Sequence, residues 1–264
     1  MNRIQRCFAH LRRRKQKALI AYVTAGFPSL KTLPSVVGAL ADQRVDLVEI
    51  GIPFSDPLAD GPTIQASSAS ALRHGMKVKK LFPLVRKIRR SFPDLPMLFM
   101  TYYNPVFHFG LKAFCRQASG SGIDGLIVPD LPPEEAGDLL RASRAAGLDL
   151  VFLAAPTSPR GRLKRIAHLS KGFIYCVSLT GVTGARNSVN AQLTHVRQLK
   201  RITKLPVCVG FGISNSAQAR KYLRSADGII IGSALISAIG RAAGSPAKAA
   251  ADFIRPIERV CHAQ

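Results

Sequence analysis

No tryptophan and no long apolar run occur in this sequence, and acidic side chains are scarce, 15 against 38 Lys and Arg. Without a stretch of roughly 18 apolar residues there is no candidate membrane span. The N-terminal MNRIQRCFAHLRRRKQK is basic but lacks the apolar stretch and small-residue cleavage site of a secretory signal. It is Arg-rich and acid-free like a transit peptide, yet it contains no Ser and leads straight into a strand, so an opening helix is expected. The five cysteines, Cys7, Cys115, Cys176, Cys208 and Cys261, are odd in number, widely spaced and form no C-x-x-C or Cys/His pattern. That argues against zinc, redox dithiols and a disulfide framework, and for a reducing, cytoplasmic compartment. Cys176 and Cys208 lie in strand-like apolar runs, as small core residues do.

The formal charge of +23 is the oddest global property, with basic residues clustered at 12–17, 77–90, 160–171 and 197–204. A nucleic-acid partner is the functional reading of such a charge. No aromatic residues interleave with the basic runs and no recognisable nucleic-acid motif occurs, which disfavours that partner. A solvated basic helix surface accounts for the charge, and its field favours encounter with an anionic substrate.

Eight short apolar runs recur, at 18–26, 45–52, 95–102, 123–130, 148–156, 173–180, 205–212 and 227–232. They are rich in Val, Ile and Leu without clean alternation, as expected of parallel strands covered by helices. Between them lie segments of helical length at 30–41, 63–72, 78–90, 111–119, 133–146, 160–169, 191–202 and 217–224, with a last one at 246–261. Within 78–90 the apolar Val78, Leu81, Phe82, Val85 and Ile88 fall on one stripe. No linker or composition break divides the chain. The pattern predicts an α/β fold: a single (β/α)8 TIM barrel over residues 1–264, with an extra N-terminal helix and an additional helix after strand 2. A doubly wound sheet would carry a G-x-G-x-x-G turn after its first strand, and TAGFPS at 24–29 does not fit.

The segment VEIGIPFSDPLADGPTIQ, 48–65, holds the most chemistry. Glu49 stands inside an apolar run, where lost hydration disfavours its charged form and raises its pKa. Asp60 lies in a Gly/Pro/Asp-rich loop, where water and backbone N–H groups are expected to keep it ionised. Two carboxyls pushed apart in this way suit general acid–base chemistry. In a barrel the working face is the C-terminal end of the strands. Glu49, Asp56, Asp60, Asp130, Tyr175 and Thr183 fall there, whereas Lys17, Lys171 and Lys204 precede their strands. No Lys at a strand's upper end counts against Schiff-base chemistry. The six histidines fall away from strand ends, which counts against a His-ligated metal, and no metal site is expected. Glycine turns follow strands six, seven and eight, at 181–184, 210–212 and 232, the last with Ser233 at a helix start. Barrels often bind phosphate there through backbone N–H groups.

The motifs YVTAGFPS, VEIGIPFSDPLADGPTIQ, MTYYNP, VPDLPPEE, APTSP, VSLTGVTGAR, GFGIS and IGSAL follow one another over nearly the whole chain. In this order and spacing they resemble the tryptophan synthase α subunit family. The resemblance implies retro-aldol cleavage of indole-3-glycerol phosphate to indole and glyceraldehyde 3-phosphate. It assigns Glu49 as general acid–base, Asp60 as acceptor of the indole N–H, and Tyr175 as a catalytic-site neighbour of Glu49. It gives Gly184, Gly212, Gly232 and Ser233 to the phosphate, and Tyr22, Ile64, Met100, Tyr102, Ile127 and Leu153 to the indole pocket. Thr183 belongs to the closing loop after strand six, and Pro53 and Asp56 to the contact with a β subunit. An α2β2 complex is implied, with no cofactor in this chain and pyridoxal phosphate only in the β partner. Ser70 replaces an arginine common in the family, with no functional account. Three alternatives stand beside this reading: a weakly active chain that mainly activates the β subunit, a sugar-phosphate isomerase on the same barrel, and a basic RNA-binding protein.

Overall fold

At the fifth apolar run the expected eight strands become nine. The computed structural model describes residues 1–177, 185–210 and 212–263, the side chains of 185–191 excepted. The chain opens with α1 (Arg3–Arg13), β1 (Ala18–Thr24), α2 (Thr32–Asp42), β2 (Leu47–Gly51), α3 (Pro62–Arg73) and α4 (Val78–Ser91). It continues through β3 (Met97–Met100), α5 (Tyr103–Phe109), α6 (Leu111–Ser121), β4 (Gly125–Ile127), α7 (Gly137–Ala145), β5 (Asp149–Val151) and β6 (Leu153–Ala154). The last third holds α8 (Arg160–Leu169), β7 (Ile174–Val177), α9 (Ala185–Ile202), β8 (Val207–Gly210), α10 (Ser216–Leu223), β9 (Gly228–Ile231), α11 (Ser233–Gly240) and α12 (Pro246–Cys261).

Every strand pairing is parallel, in the order β5-β4-β3-β2-β1-β9-β8-β7-β6. The two ends of that order are one run of chain. β5 pairs with β4, β6 pairs with β7, and Phe152 between them accepts the Tyr175 N–H at 3.1 Å. The run at 148–156 changes neighbour at Phe152, and the sheet closes as a TIM barrel.

Alternate residues divide between two cores, which hides the two-residue period in the sequence. Ala18, Ile20 and Tyr22 of β1 face an inner cluster with Leu47, Leu98, Met100, Ile127, Tyr175, Cys208 and Ile230. Leu19, Ala21 and Val23 face the helices. Alternation from Leu47 directs Glu49 into the barrel as well.

The N-terminal face is sealed by α1. Asn2 caps it in a reciprocal pair with Gln5, and Ile4, Phe8 and Leu11 plug the inner cluster, Phe8 meeting Phe173 at 5.8 Å. Asp46, Asp124 and Asp227 each immediately precede a strand. They accept the N–H of Leu19, Met97 and Val207 on the neighbouring strand at 2.8, 2.9 and 3.0 Å. Each also meets a basic side chain: His262 at 2.9 Å for Asp46, Arg3 and Arg89 at 2.9 Å for Asp124, and Lys200 at 2.6 Å for Asp227. Asp149 accepts from the Asn2 side chain at 2.6 Å.

Helices α8 and α12 have the expected bounds, whereas α5 and α11 were not expected. The first is short, aromatic and contains Pro105; the second, SALISAIG, is mostly apolar and shows no amphipathic stripe. Helix α7 starts at Gly137 rather than at 133, because the stretch from Pro132 turns, with Glu135 N–H donating to Pro132 C=O at 3.0 Å. Helix α9 begins earlier than 191, at Ala185. Among the described residues no helix is long and apolar enough to cross a membrane.

Candidate active site

Strand β2 carries Glu49 into the barrel, beside Tyr22 of β1 in register and Leu98 of β3. The side chain is 0% exposed, and neither carboxyl oxygen has a hydrogen-bond partner among the described residues. Burial raises its pKa to about 8, so it is a protonated acid at neutral pH. An unpartnered buried carboxyl costs stability, and such groups mark sites where a ligand completes the bonding.

Asp60 sits where the loop after β2 turns into α3, with Gly61 as N-cap and Pro62 at the first helical position. Its pKa is also pushed up, to about 6, by burial, while a hydrogen bond from the Tyr102 hydroxyl opposes the rise. This corrects the expectation of an ordinary, fully ionised carboxylate: the loop folds back and takes the side chain partly out of water. The order of the two acids is nonetheless the expected one.

A cavity of ≈ 260 Å³ opens at the C-terminal ends of the strands. Asp60, Gly61, Pro62, Thr63 and Ile64 form one wall, Tyr22, Met100, Tyr175 and Ile230 the floor, and Gly212, Ile213, Gly232 and Ser233 the opposite wall. That opposite wall includes the N-terminus of α11, which starts at Ser233 with no side-chain cap. The first backbone N–H groups of a helix lack intrahelical partners, an arrangement that suits an anion. Two glycines allow the floor. A Cβ at Gly51 would overlap the Tyr22 hydroxyl, and one at Gly210 the Tyr175 hydroxyl, so each ring lies across the end of the next strand.

The family model described as "Tryptophan synthase alpha chain" matches residues 8–262. The tryptophan synthase alpha chain of Geotalea daltonii is 46% identical over 237 residues, covering 89% of each chain. The tryptophan synthase subunit alpha of Legionella pneumophila superposes with a TM-score of 0.93 at 34% identity, over 99% of this chain and 98% of that one. This chain belongs to the tryptophan synthase alpha chain family. A chain of the tryptophan synthase complex of Pyrococcus furiosus is similar too, with a TM-score of 0.84 at 36% identity over 92% of this chain and 98% of that one. Membership makes the chain an enzyme of tryptophan biosynthesis built on a TIM barrel.

Of the residues assigned to the family site, Tyr22, Asp60, Ile64, Met100, Tyr175, Gly212, Gly232 and Ser233 line the one cavity. Glu49 lies buried beside its floor, against Tyr22 and Tyr175. Ile127 does not reach the wall; it is 0% exposed, packed in the inner cluster opposite Met100 in register. Leu153 packs against that cluster and lines a separate hollow with Pro132, Phe152 and Val177. Tyr102 also stands outside the cavity, its hydroxyl accepting the Ala59 N–H at 2.9 Å. Pro53 is buried and Asp56 exposed on the loop. Thr183 and Gly184 lie outside the described residues.

His195 on α9 is buried, and its ring hydrogen-bonds the Ala154 backbone at the end of β6. It packs with the helix rather than in the cavity, and burial lowers its pKa. Among the described residues no cluster of His, Cys, Asp and Glu has metal-holding geometry.

Sequence reasoning missed Gly61, Pro62, Thr63, Ile213 and Ile230 as lining residues. For Ile230 the available signal was position: it stands on β9, two residues before Gly232. It also missed Thr24, whose hydroxyl contacts Tyr22 Oη at 3.4 Å and Ser67 Oγ at 2.7 Å beneath the floor.

Proposed function

We propose that this chain is a carbon–carbon lyase that cleaves indole-3-glycerol phosphate to indole and glyceraldehyde 3-phosphate. The observation that carries the reading is one cavity bordered by two acids of unequal proton affinity, with an uncapped helix N-terminus on the opposite wall. The phosphate is held at Gly212, Gly232 and Ser233, with Gly184 completing the cradle. The indole ring lies over Met100, Ile64 and the two floor tyrosines. Asp60, the stronger acid, accepts the ring N–H and offsets positive charge on the ring. Glu49, protonated at neutral pH, delivers its proton to indole C3. The resulting carboxylate takes the proton of the glycerol hydroxyl next to the ring as the carbon–carbon bond breaks. The aldehyde and indole leave, and Glu49 ends protonated as it began. Tyr175 fixes the wall beside Glu49, and Thr183 belongs to the loop that closes over substrate.

No step calls for a cofactor in this chain. We further propose that indole passes to a β subunit, the pyridoxal-phosphate partner, in an α2β2 complex. Support comes from the likeness to the Pyrococcus furiosus complex and from two exposed apolar side chains, Leu58 (93%) and Phe107 (64%), on segments flanking the site. Pro53 and Asp56 share the loop with Leu58. A cytoplasmic location is supported by five cysteines without disulfides.

Indole release from indole-3-glycerol phosphate tests the reading. Wild type should turn over weakly alone and faster with a β subunit. Glu49→Gln should lose about 10²–10⁴-fold in kcat, as for a lost general acid–base, and Asp60→Asn somewhat less. Full turnover by the Glu49 variant would refute the assignment.

A further inference from the structure

We propose that three buried hydroxyls, those of Tyr22, Thr24 and Ser67, form a clasp that positions the Asp60–Ile64 wall of the cavity against its floor. The inference rests on the lyase reading and extends it to two positioning residues outside the cavity, Thr24 and Ser67.

The clasp begins on β1. Thr24 has the inward parity of Ala18, Ile20 and Tyr22, and it stands opposite Gly51 of β2 in register. The Tyr22 ring lies over Gly51, which has no Cβ to block the phenol, and this brings Tyr22 Oη to 3.4 Å from Thr24 Oγ1. Thr24 Oγ1 in turn lies 2.7 Å from Ser67 Oγ in the second turn of α3. Ser67 donates its one proton to Ile64 C=O at 2.8 Å, so Thr24 is the donor between these two. Thr24 is 2% and Ser67 1% exposed, so neither can turn to water instead.

Helix α3 matters because its entry is a wall of the site: Asp60, Gly61, Pro62, Thr63 and Ile64 all line the cavity. The entry is tied internally by the Gln65 side chain, which donates to Asp60 C=O at 2.8 Å. The far end of the helix is set by close packing. A Cβ at Gly26, in the turn after β1, would meet Met76 at 3.0 Å and Ala71 at 3.2 Å. Nearer the cavity, the Thr24–Ser67 bond is the one side-chain hydrogen bond between α3 and the strands among the described residues. An apolar pair would pack there too, without the demand that each buried hydroxyl find a partner. What a 2.7 Å bond adds is a fixed distance and direction. It sets where the helix entry, and with it the Asp60 carboxyl, stands relative to the Tyr22 floor.

Ser67→Ala and Thr24→Val each open the clasp with little change in side-chain volume. The expected result, per folded molecule, is a loss of about tenfold in kcat/KM for indole-3-glycerol phosphate. More of it should fall on kcat than on KM, since a small displacement of a reacting group weakens chemistry more than binding. Thr24→Ser, which keeps the hydroxyl, should restore most of the turnover. The double variant should lose no more than either single change, because both break one bond. Wild-type kcat in both single variants, or losses that add in the double, overturns the proposal and leaves the hydroxyls as satisfied core groups. Deuterium exchange at the backbone amides of 63–67 in ligand-free protein reads the same loosening without turnover, and Ser67→Ala should exchange faster than wild type. A wild type that releases no indole would refute the lyase reading, while unchanged exchange would refute this one.

Discussion

The two rims of the barrel treat acids in opposite ways. At the N-terminal rim Asp46, Asp124 and Asp227 each accept a backbone N–H from the neighbouring strand and a hydrogen bond from a basic side chain. Toward the C-terminal rim Glu49 is buried more deeply than any of them and has neither among the described residues. Asp124 is buried too, so burial alone cannot be what separates it from Glu49. Partnership separates them: a satisfied carboxylate ties strands together, and an unsatisfied one keeps its bonding capacity for a ligand.

Removing an acid from each rim tests that contrast. Asp124→Ala strips Arg89 and Arg3 of their counter-ion and leaves the Met97 N–H without its acceptor. Urea denaturation should show a loss of about 3–5 kcal/mol, with indole release per folded molecule intact. Asp124→Asn, which can still accept the Met97 N–H, should lose less. An Ala variant of wild-type stability would erase the distinction.

Glu49→Gln should behave in the converse manner, losing turnover without losing stability. The Glu49 carboxyl rises from 4.5 in the unfolded chain to about 8 in the fold, so the folded state retains a proton that the unfolded chain releases in between. The stabilisation is complete below the lower value and is lost as pH rises toward the upper one. Across that window wild type should weaken relative to Glu49→Gln by order 1 kcal/mol per pH unit. Parallel pH–stability curves for the two proteins would mean that the acid has a partner after all.

The smallest effect belongs to His262, which bridges Asp46 and Glu258 at 2.9 Å each. Burial alone would lower its pKa, but the hydrogen bonds and charges of Asp46 and Glu258 outweigh it and raise the value. Its contribution is therefore full below the ordinary histidine pKa and fades as pH rises through the folded value. Melting temperatures of wild type and His262→Gln should converge by a few degrees at most between about pH 6 and 9. A gap that widens with pH would reverse the assigned sign.

Features set by local sequence were readable before the fold was known. The eight apolar runs located the strands, the acid in VEIGI marked Glu49, and glycines after the late strands marked one wall of the cavity. Unread features depend on partners distant along the chain. The four segments VDLV, IDGL, LDLV and ADGI repeat an Asp at a strand start, but the cations and N–H groups they serve lie elsewhere in the sequence. Asp60 looked hydrated because its immediate neighbours are turn residues; Tyr22 on β1 and Tyr102 just after β3, which help enclose it, are distant in the chain. Ile127 and Leu153 shared the apolar character of pocket residues, and only packing shows that the first is sealed in the core and the second lines a separate hollow.

The plug formed by α1 has a consequence for how the chain is assembled. Asn2 and Phe8 are synthesised well before their docking groups, Asp149 and Phe173, which lie more than a hundred residues further along the chain. The other terminus is tied to the same face, where His262 meets Asp46 across 216 positions. Both ends must wait for strands between them, so sealing the barrel floor belongs late in folding, when most loop-closure entropy has already been spent. A nascent chain halted before Phe173 would hold its amphipathic first helix exposed, a natural handle for a chaperone.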